Sequence, residues 1–449
     1  MLLRARVVVP VSQPPMDNGA VLISGRRIRA VGPWRELSKL SKLKPVDLGD
    51  VALLPGLINS HCHLDYTGMA GQFPPPRRFT DWIKLITTAK GSWTDDDFAE
   101  SWQMGAAMLL RTGTTTVGDV EALPELLPAM WDLTPLRVFS FLEMTGIRSR
   151  RQPRAVLDDA LEQIAKLKHP RCKAWLSPHA PYSTLPELLK LAMQTARRRH
   201  WRVTTHVAES DQEFEMFMHG EGEMHDWMKR NERNNSDCGH SSPVQHLDRC
   251  GALTPSLLAI HANYLAPGDA ELLGRRGTHV VHCPRSHEYF RHQAFPFEAL
   301  SAGGVNISIA TDSLASVVTP RGRKRMGPAS RLSNGGDEKG GARSSQGPPD
   351  RRDACPTKVE LNLFDEMRSF ARRFPSVSPE TILKMVTVNP ARALGMAGKL
   401  GELRADGIAD LIALPHARSA ENVFESIVQH TGNVATSLID GRWVLPPLK

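Results

Sequence analysis

Residues 53–65 read Leu53-Leu54-Pro55-Gly56-Leu57-Ile58-Asn59-Ser60-His61-Cys62-His63-Leu64-Asp65, an apolar run that ends in two histidines one residue apart. In an extended strand, residues i and i+2 point to the same face, so His61 and His63 reach one point in space. Cys62 between them points the other way, into packing. Two imidazoles converging at the end of a buried strand are what a metal site needs from its first two ligands. One His-x-His pair is a weak signal by itself, and the rest of the chain supplies what it lacks.

Strand-like runs recur along the chain at 54–60, Thr114–Asp119, Arg137–Glu143, Lys173–Pro178, Arg202–His206, Leu257–His261, Thr278–Cys283 and Asn306–Asp312. Helical periodicity lies between most of them, over 94–111, 154–168, 184–199, 211–230, 267–275 and 292–302, and two more helices are expected at 358–373 and 378–394. Strands and helices alternating in this way predict an α/β fold, a (β/α)8 barrel of the TIM type, over residues 55–395. Residues 1–54 alternate short β-type runs with turns, and the runs 20–23 and 28–31 flanking Gly25-Arg26-Arg27 predict a hairpin. The segments 409–414 and 437–444 have the same texture, so 1–54 and 396–449 are expected to complete one small composite β-sandwich domain. Two stretches break the pattern: the polar, turn-rich Asn231–Pro243, and an insertion at about 319–356 that reads as disordered.

Composition excludes several classes. With 41% hydrophobic and 23% charged residues the chain is that of an ordinary globular protein. No apolar run approaches the ~20 residues of a membrane span. The start of the chain reads as a strand rather than a signal peptide, and the six cysteines show no C-x-x-C pairing, so a reducing cytoplasm is expected. Of the net charge of +8, the stretch 319–356 carries nine Arg/Lys against four Asp/Glu, leaving +3 for the rest. No aromatic residue is interleaved with those charges and no basic stripe lies on a recognisable helix, which argues against nucleic acid and for a solvated loop; the partner expected from the site residues below is a small-molecule substrate.

The chemistry collects where barrel enzymes keep it, at the C-terminal ends of the strands. Those ends carry His61/His63, His179, His206, His261, Cys283 and Asp312, although histidine makes up only 17 of 449 residues. Each alone suits a hydrogen-bonded structural role; together at equivalent ends they predict a metal site. Three imidazoles and one carboxylate, His61, His63, His206 and Asp312, suit one Zn²⁺, with Fe²⁺ or Mn²⁺ as alternatives. Such an ion lowers the pKa of a bound water from ~15.7 toward ~7, and Asp312 is of the right type to accept that water's proton. Glu209, three residues after His206, is a candidate general acid/base, against its plainer role as a helix first-turn carboxylate. A two-metal site would need a bridging group, often a lysine at the end of strand four. Lys173 stands at that strand's start and position 179 is histidine.

The ordered set His61-x-His63, Thr205-His206-x-x-Glu209, His261 and Asp312 resembles the amidohydrolase superfamily. Pro55-Gly56-Leu57-Ile58-Asn59, Ser177-Pro178-His179-Ala180-Pro181-Tyr182, His282-Cys283-Pro284-Arg285-Ser286 and Asn389-Pro390-Ala391-Arg392-Ala393 match around it. Within the superfamily the chain resembles the mononuclear aminohydrolases that include S-adenosylhomocysteine/methylthioadenosine deaminases, aminofutalosine deaminases and s-triazine chlorohydrolases. The resemblance implies metal ligation by His61, His63, His206 and Asp312. It implies that Glu209 protonates a ring nitrogen, that His261 orients the water or the tetrahedral intermediate, and that His179 and Trp82 meet the substrate. For Trp82, on the loop after strand one, and for His179, packing and a loop hydrogen bond are the alternatives. The implied reaction is hydrolytic deamination of an aminated heterocycle such as an adenosine-type nucleoside, in a homodimer. The rivals are chloride displacement or amide hydrolysis at the same site, and a non-catalytic barrel scaffold. Departures are His287, where relatives often carry Asn, and Glu143 and Arg148, which read either as ribose or carboxylate contacts or as surface residues.

Overall fold

The computed structural model describes residues 1–40, 44–147, 152–319 and 359–447. An eight-stranded parallel sheet runs in chain order through Leu57–Cys62, Thr114–Glu121, Arg137–Met144, Lys173–Pro178, Val203–Val207, Leu257–His261, His279–His282 and Asn306–Ile309. Nearly every residue of these strands is buried, as a parallel sheet covered on both faces requires. Period-two alternation sorts their side chains. Phe139 and Phe141 join Ile58, Trp175, Leu258 and Val281 in one core, while Val138 and Leu142 pack with Trp102 and Leu109 in another. At Gly118 a Cβ would lie 2.7 Å from the Ser60 carbonyl oxygen, so only glycine lets the second strand approach the first just below His61.

The sheet closes beside the predicted ligands. The Asp312 N–H donates to the His61 carbonyl at 3.2 Å. The Asn59 amide clasps Thr311 from below: Nδ2 donates to Thr311 Oγ1 at 2.8 Å, and Oδ1 accepts from the Thr311 N–H at 3.1 Å. The barrel is thus the expected one, and its seam holds the first and last ligand positions together.

The two ends of the chain build a second, mixed sheet. Its order is Arg442–Leu445, Thr436–Ile439, Leu411–Pro415, Val51–Pro55, Leu2–Val8, Met16–Ser24 and Arg27–Pro33, with Val46–Asp47 added on Leu2–Val8. The predicted hairpin is the antiparallel pair Met16–Ser24 and Arg27–Pro33. A buried ion cluster fastens this sheet to the barrel. Arg137, at the start of the third barrel strand, donates to Asp410 at 3.2 Å and to Asp440 at 2.7 Å. Arg137→Met leaves Asp410 buried without its cation, while Asp440 keeps Arg26 at 2.9 Å, so the substitution is expected to cost ~3–5 kcal/mol in urea unfolding. A loss below about 1 kcal/mol would show that the cluster contributes specificity and not stability.

Several helices differ from expectation. The segment 211–230 is two helices, Asp211–His219 and Glu223–Arg230, because Gly220 (φ 69°) and Gly222 (φ 93°) adopt left-handed backbone between them. The segment 378–394 likewise divides into Pro379–Lys384 and Val388–Ala393. Of 292–302 only Phe297–Ala302 is helical, and the short helix Pro284–Phe290, too brief to show a period, precedes it. Trp82 lies on a helix, Phe79–Lys90, and not on the loop expected after strand one. The expected insertion at 319–356, from residue 320 on, and Arg148 lie outside the described residues. Among the described residues no helix is long and apolar enough to cross a membrane. Cys62, Cys172, Cys238, Cys250 and Cys283 are free and buried.

Candidate metal centre and active site

The four predicted ligands and His261 meet at the C-terminal mouth of the barrel. Their ligand atoms form two overlapping groups, His61/His63/His206 and His61/His261/Asp312, with all atoms of each group within 4.8 Å of one another. Asp312 Oδ1 lies 3.5 Å from His61 Nε2 and 3.8 Å from His63 Nε2. The rings of His63 and His206 are 5.6 Å apart and nearly parallel, with His61 edge-on to both. Local backbone aims these groups. His261 (φ 74°) and Asp312 (φ 55°) occupy left-handed conformations that cost non-glycine residues ~1–3 kcal/mol each and recur at functional sites.

Outer contacts fix the state of two predicted ligands, His206 and Asp312. The His179 carbonyl accepts from His206 Nδ1 at 2.9 Å, which places the hydrogen there and leaves Nε2 as the free lone pair. Asp312 Oδ2 accepts from Ser286 Oγ at 2.7 Å and Ser316 Oγ at 3.2 Å, so Oδ1 is the oxygen presented to the cluster. Burial pushes the His63 and His261 imidazoles down to about 3, keeping both neutral. Burial pushes the Asp312 carboxyl up, but His61, His261 and His63 beside it hold it well below the usual carboxylate range. The turn after His63 is tied down by Asp119, whose carboxylate accepts from the Leu64 N–H at 3.0 Å and Trp102 Nε1 at 2.9 Å.

This donor set fits a divalent metal on an internal criterion. Both nitrogens of His61 and Nε2 of His261 are buried without a hydrogen-bond partner. Buried polar atoms are rarely left so, and here they converge with a carboxylate oxygen held ionised. Lys173 stands exposed at the start of its strand, in keeping with a one-metal site.

Glu209 adjoins the cluster, with Oε1 3.4 Å from His261 Nε2. Burial, reinforced by the negative charges of Asp312 and Glu213, pushes its carboxyl well above the usual range, which favours the protonated form that a proton donor needs. The group opens on a cavity of about 650 Å³, within the size range of small-molecule sites. Trp82, Ile83, Ile86, Ile147 and Trp227 make an apolar wall; Tyr66, Lys90, Glu143, His179 and Asn231 make a polar one. Trp82 packs edge-on to Phe290 at 5.1 Å, and its indole Nε1 is buried and unpartnered. His179 is hydrogen-bonded through Nδ1 to Ser183 and faces Glu143 with Nε2 at 4.0 Å.

Sequence reasoning missed part of this arrangement. Glu143 is a cavity residue and not a surface one. Lys90, bonded to the Tyr66 hydroxyl, drew no attention because a lysine ending a helix is common. The stretch 231–243 is more than a polar loop. Its Arg233 guanidinium is buried, donates to the Pro181 and Tyr182 carbonyls, and pairs with Asp237 at 2.7 Å, so it pins the segment that carries His179.

A parallel barrel with an imidazole–carboxylate cluster at its C-terminal mouth defines a metal-dependent hydrolase acting on carbon–nitrogen bonds. The chain belongs to the amidohydrolase family, whose profile matches residues 52–444. The 5-methylthioadenosine/S-adenosylhomocysteine deaminase of Syntrophobacter fumaroxidans is 28% identical over 96% of this chain and 88% of its own. Among solved structures, Helicobacter pylori aminofutalosine deaminase in complex with methylthio-coformycin is similar with a TM-score of 0.81, 19% identity, and 99% of both chains covered. Atrazine chlorohydrolase from Arthrobacter aurescens, complexed with zinc, is similar with a TM-score of 0.76, 18% identity, and 99% and 95% covered.

Proposed function

We propose that the protein releases ammonia hydrolytically from an aminated aromatic heterocycle, most favourably an adenosine-type nucleoside. The observation that carries this reading is the Glu209 carboxyl 3.4 Å from His261, beside the His61/His63/His206/Asp312 cluster and lining the same cavity as Trp82. A single zinc ion held by His61, His63, His206 and Asp312 would supply Lewis acidity and lower the pKa of water in the site. The chain's own groups do the rest. Trp82 and the apolar wall take the base and exclude water; His179 and Glu143 offer polar contacts to its substituents. Glu209 gives its proton to a ring nitrogen, making the amine-bearing carbon electrophilic. Asp312 Oδ1 takes the proton of the attacking water while Oδ2 stays on Ser286 and Ser316. Neutral His261 orients the oxygen that adds. The proton held on Asp312 then passes to the amine, the carbon–nitrogen bond breaks and ammonia leaves; the hydroxyl proton returns to Glu209, and the oxygen stays on the ring carbon as a carbonyl.

The same reading places the enzyme in the cytoplasm as a homodimer without nucleic-acid affinity. Light scattering and a filter-retention assay check the last two. Ammonia release from zinc-loaded protein, measured on adenosine, 5′-deoxyadenosine, 5′-methylthioadenosine and pterins, tests the reaction itself. Chloride release from a chlorinated triazine, run beside it, tests displacement of halide at the same centre, since the pocket and not the metal separates the two reactions. Absence of ammonia from every compound would end the deaminase reading.

A further inference from the structure

Glu209 is held by more than its own strand. It follows Ala208, which is itself in the left-handed region (φ 50°), so the carboxyl stands on a sharp turn beyond the fifth barrel strand. That turn is stitched to the turn carrying His261. The Ala262 N–H donates to the Val207 carbonyl and the Asn263 N–H to the Ala208 carbonyl, both at 3.0 Å. One buried side chain completes the seam: Asn263 Nδ2 donates to the Glu209 carbonyl at 2.9 Å. A carbonyl only accepts, so the Asn263 amide must face Glu209 with its NH2 and turn its Oδ1 away. That Oδ1 meets His287 Nδ1 at 3.0 Å. An amide oxygen also only accepts, so the His287 hydrogen must be on Nδ1. The donors and acceptors leave one consistent arrangement, running from His287 through Asn263 to the backbone of Glu209.

The geometry points to His287, through Asn263, as a positioning residue that sets the aim of the Glu209 carboxyl at the reacting ring. The His287 N–H is the second bond that holds the Asn263 amide in this sense; without it Asn263 Oδ1 loses its partner and the side chain is held at its Nδ2 end alone. A flipped amide would set oxygen against the Glu209 carbonyl and loosen the seam between the Glu209 and His261 turns. The inference rests on Glu209 being the proton donor of the proposed reaction.

Two measurements on the full-length, zinc-loaded enzyme test it. The first is steady-state ammonia release from 5′-methylthioadenosine. His287→Ala is expected to lower kcat ~10–100-fold, the scale of a small misplacement of a reacting group, with KM and metal content unchanged. His287→Asn, which keeps a donor, is expected to regain most of the rate. The Asn263→Ala/His287→Ala double variant is expected to be no slower than Asn263→Ala alone. Full kcat in His287→Ala, no rescue by asparagine, or additive losses would overturn the inference. The second measurement is imidazole ¹⁵N NMR of the unmodified enzyme, with the His287 signal assigned by its loss in His287→Asn. A hydrogen on Nδ1 is expected; one on Nε2 alone would overturn the inference even if His287→Ala failed to fold. Glu209→Gln separates the two levels. If it keeps full activity, the reading of Glu209 fails. If it is inactive while His287→Ala is fully active, only the positioning role fails.

Discussion

Glu209→Gln is expected to lower kcat for ammonia release ~10²–10⁴-fold, the usual contribution of a positioned proton donor. The substitution is nearly isosteric and leaves the backbone contacts to Asn263 and Glu213 in place. Burial favours the neutral form of the carboxyl, and an amide matches that form in shape and charge. Stability and metal content should therefore stay close to those of the unsubstituted protein. The lost capacity is proton transfer alone, and it should appear in kcat with KM little altered. A substrate whose ring nitrogen needs no proton in the rate-limiting step should be less affected. An equal loss for all substrates, accompanied by loss of metal, would instead make Glu209 part of the ion's support.

Removing a ligand should act differently. His61→Ala is expected to abolish stoichiometric metal binding and activity together, with the apo protein still folded. His61 is 1% exposed and neither of its ring nitrogens makes a hydrogen bond; the Asp312 carboxylate it faces at 3.5 Å keeps Ser286 and Ser316 as donors when His61 is removed. Loss of a group that orients a ligand typically costs ~10–100-fold in metal affinity, which is the expectation for Ser286→Ala; loss of the ligand itself should exceed that range. Metal content of the purified variants and their titration with zinc against a chelator measure both. If His61→Ala bound zinc as tightly as the unsubstituted protein, the cluster would not be the metal centre.

Much of this was legible in the sequence, for physical reasons. Buried parallel strands are short continuous apolar runs, and each ends in the polar residue that the barrel mouth needs. The chain therefore shows Leu57–Cys62 and Leu257–His261 as apolar text followed by histidine. Asp312 was found in the same way, as a carboxylate at the end of the last strand. What escaped has no local period. Ser286 and Ser316 hold Asp312 through hydroxyls that look like any loop serine. Asn263 and His287 meet across 24 residues of sequence, and only the left-handed turn at His261–Ala262 brings them together. Arg233 looked like one more charge in a polar stretch, but it is buried because six oxygens from two segments converge on it. Glu143 falls at the end of a strand like the ligands, but its side chain faces His179 in the cavity and not the cluster.

The central claim is that the His61/His63/His206/Asp312 cluster and Glu209 act together on the amino group of a nucleoside-type heterocycle. The most direct test is ammonia production from 5′-methylthioadenosine and adenosine by apo protein, zinc-reconstituted protein and zinc-reconstituted Glu209→Gln. Ammonia should appear only with the zinc-reconstituted, unsubstituted enzyme, one equivalent for each base converted. Ammonia from the apo protein at the same rate, or none from the zinc-loaded enzyme with any aminated heterocycle, would contradict it.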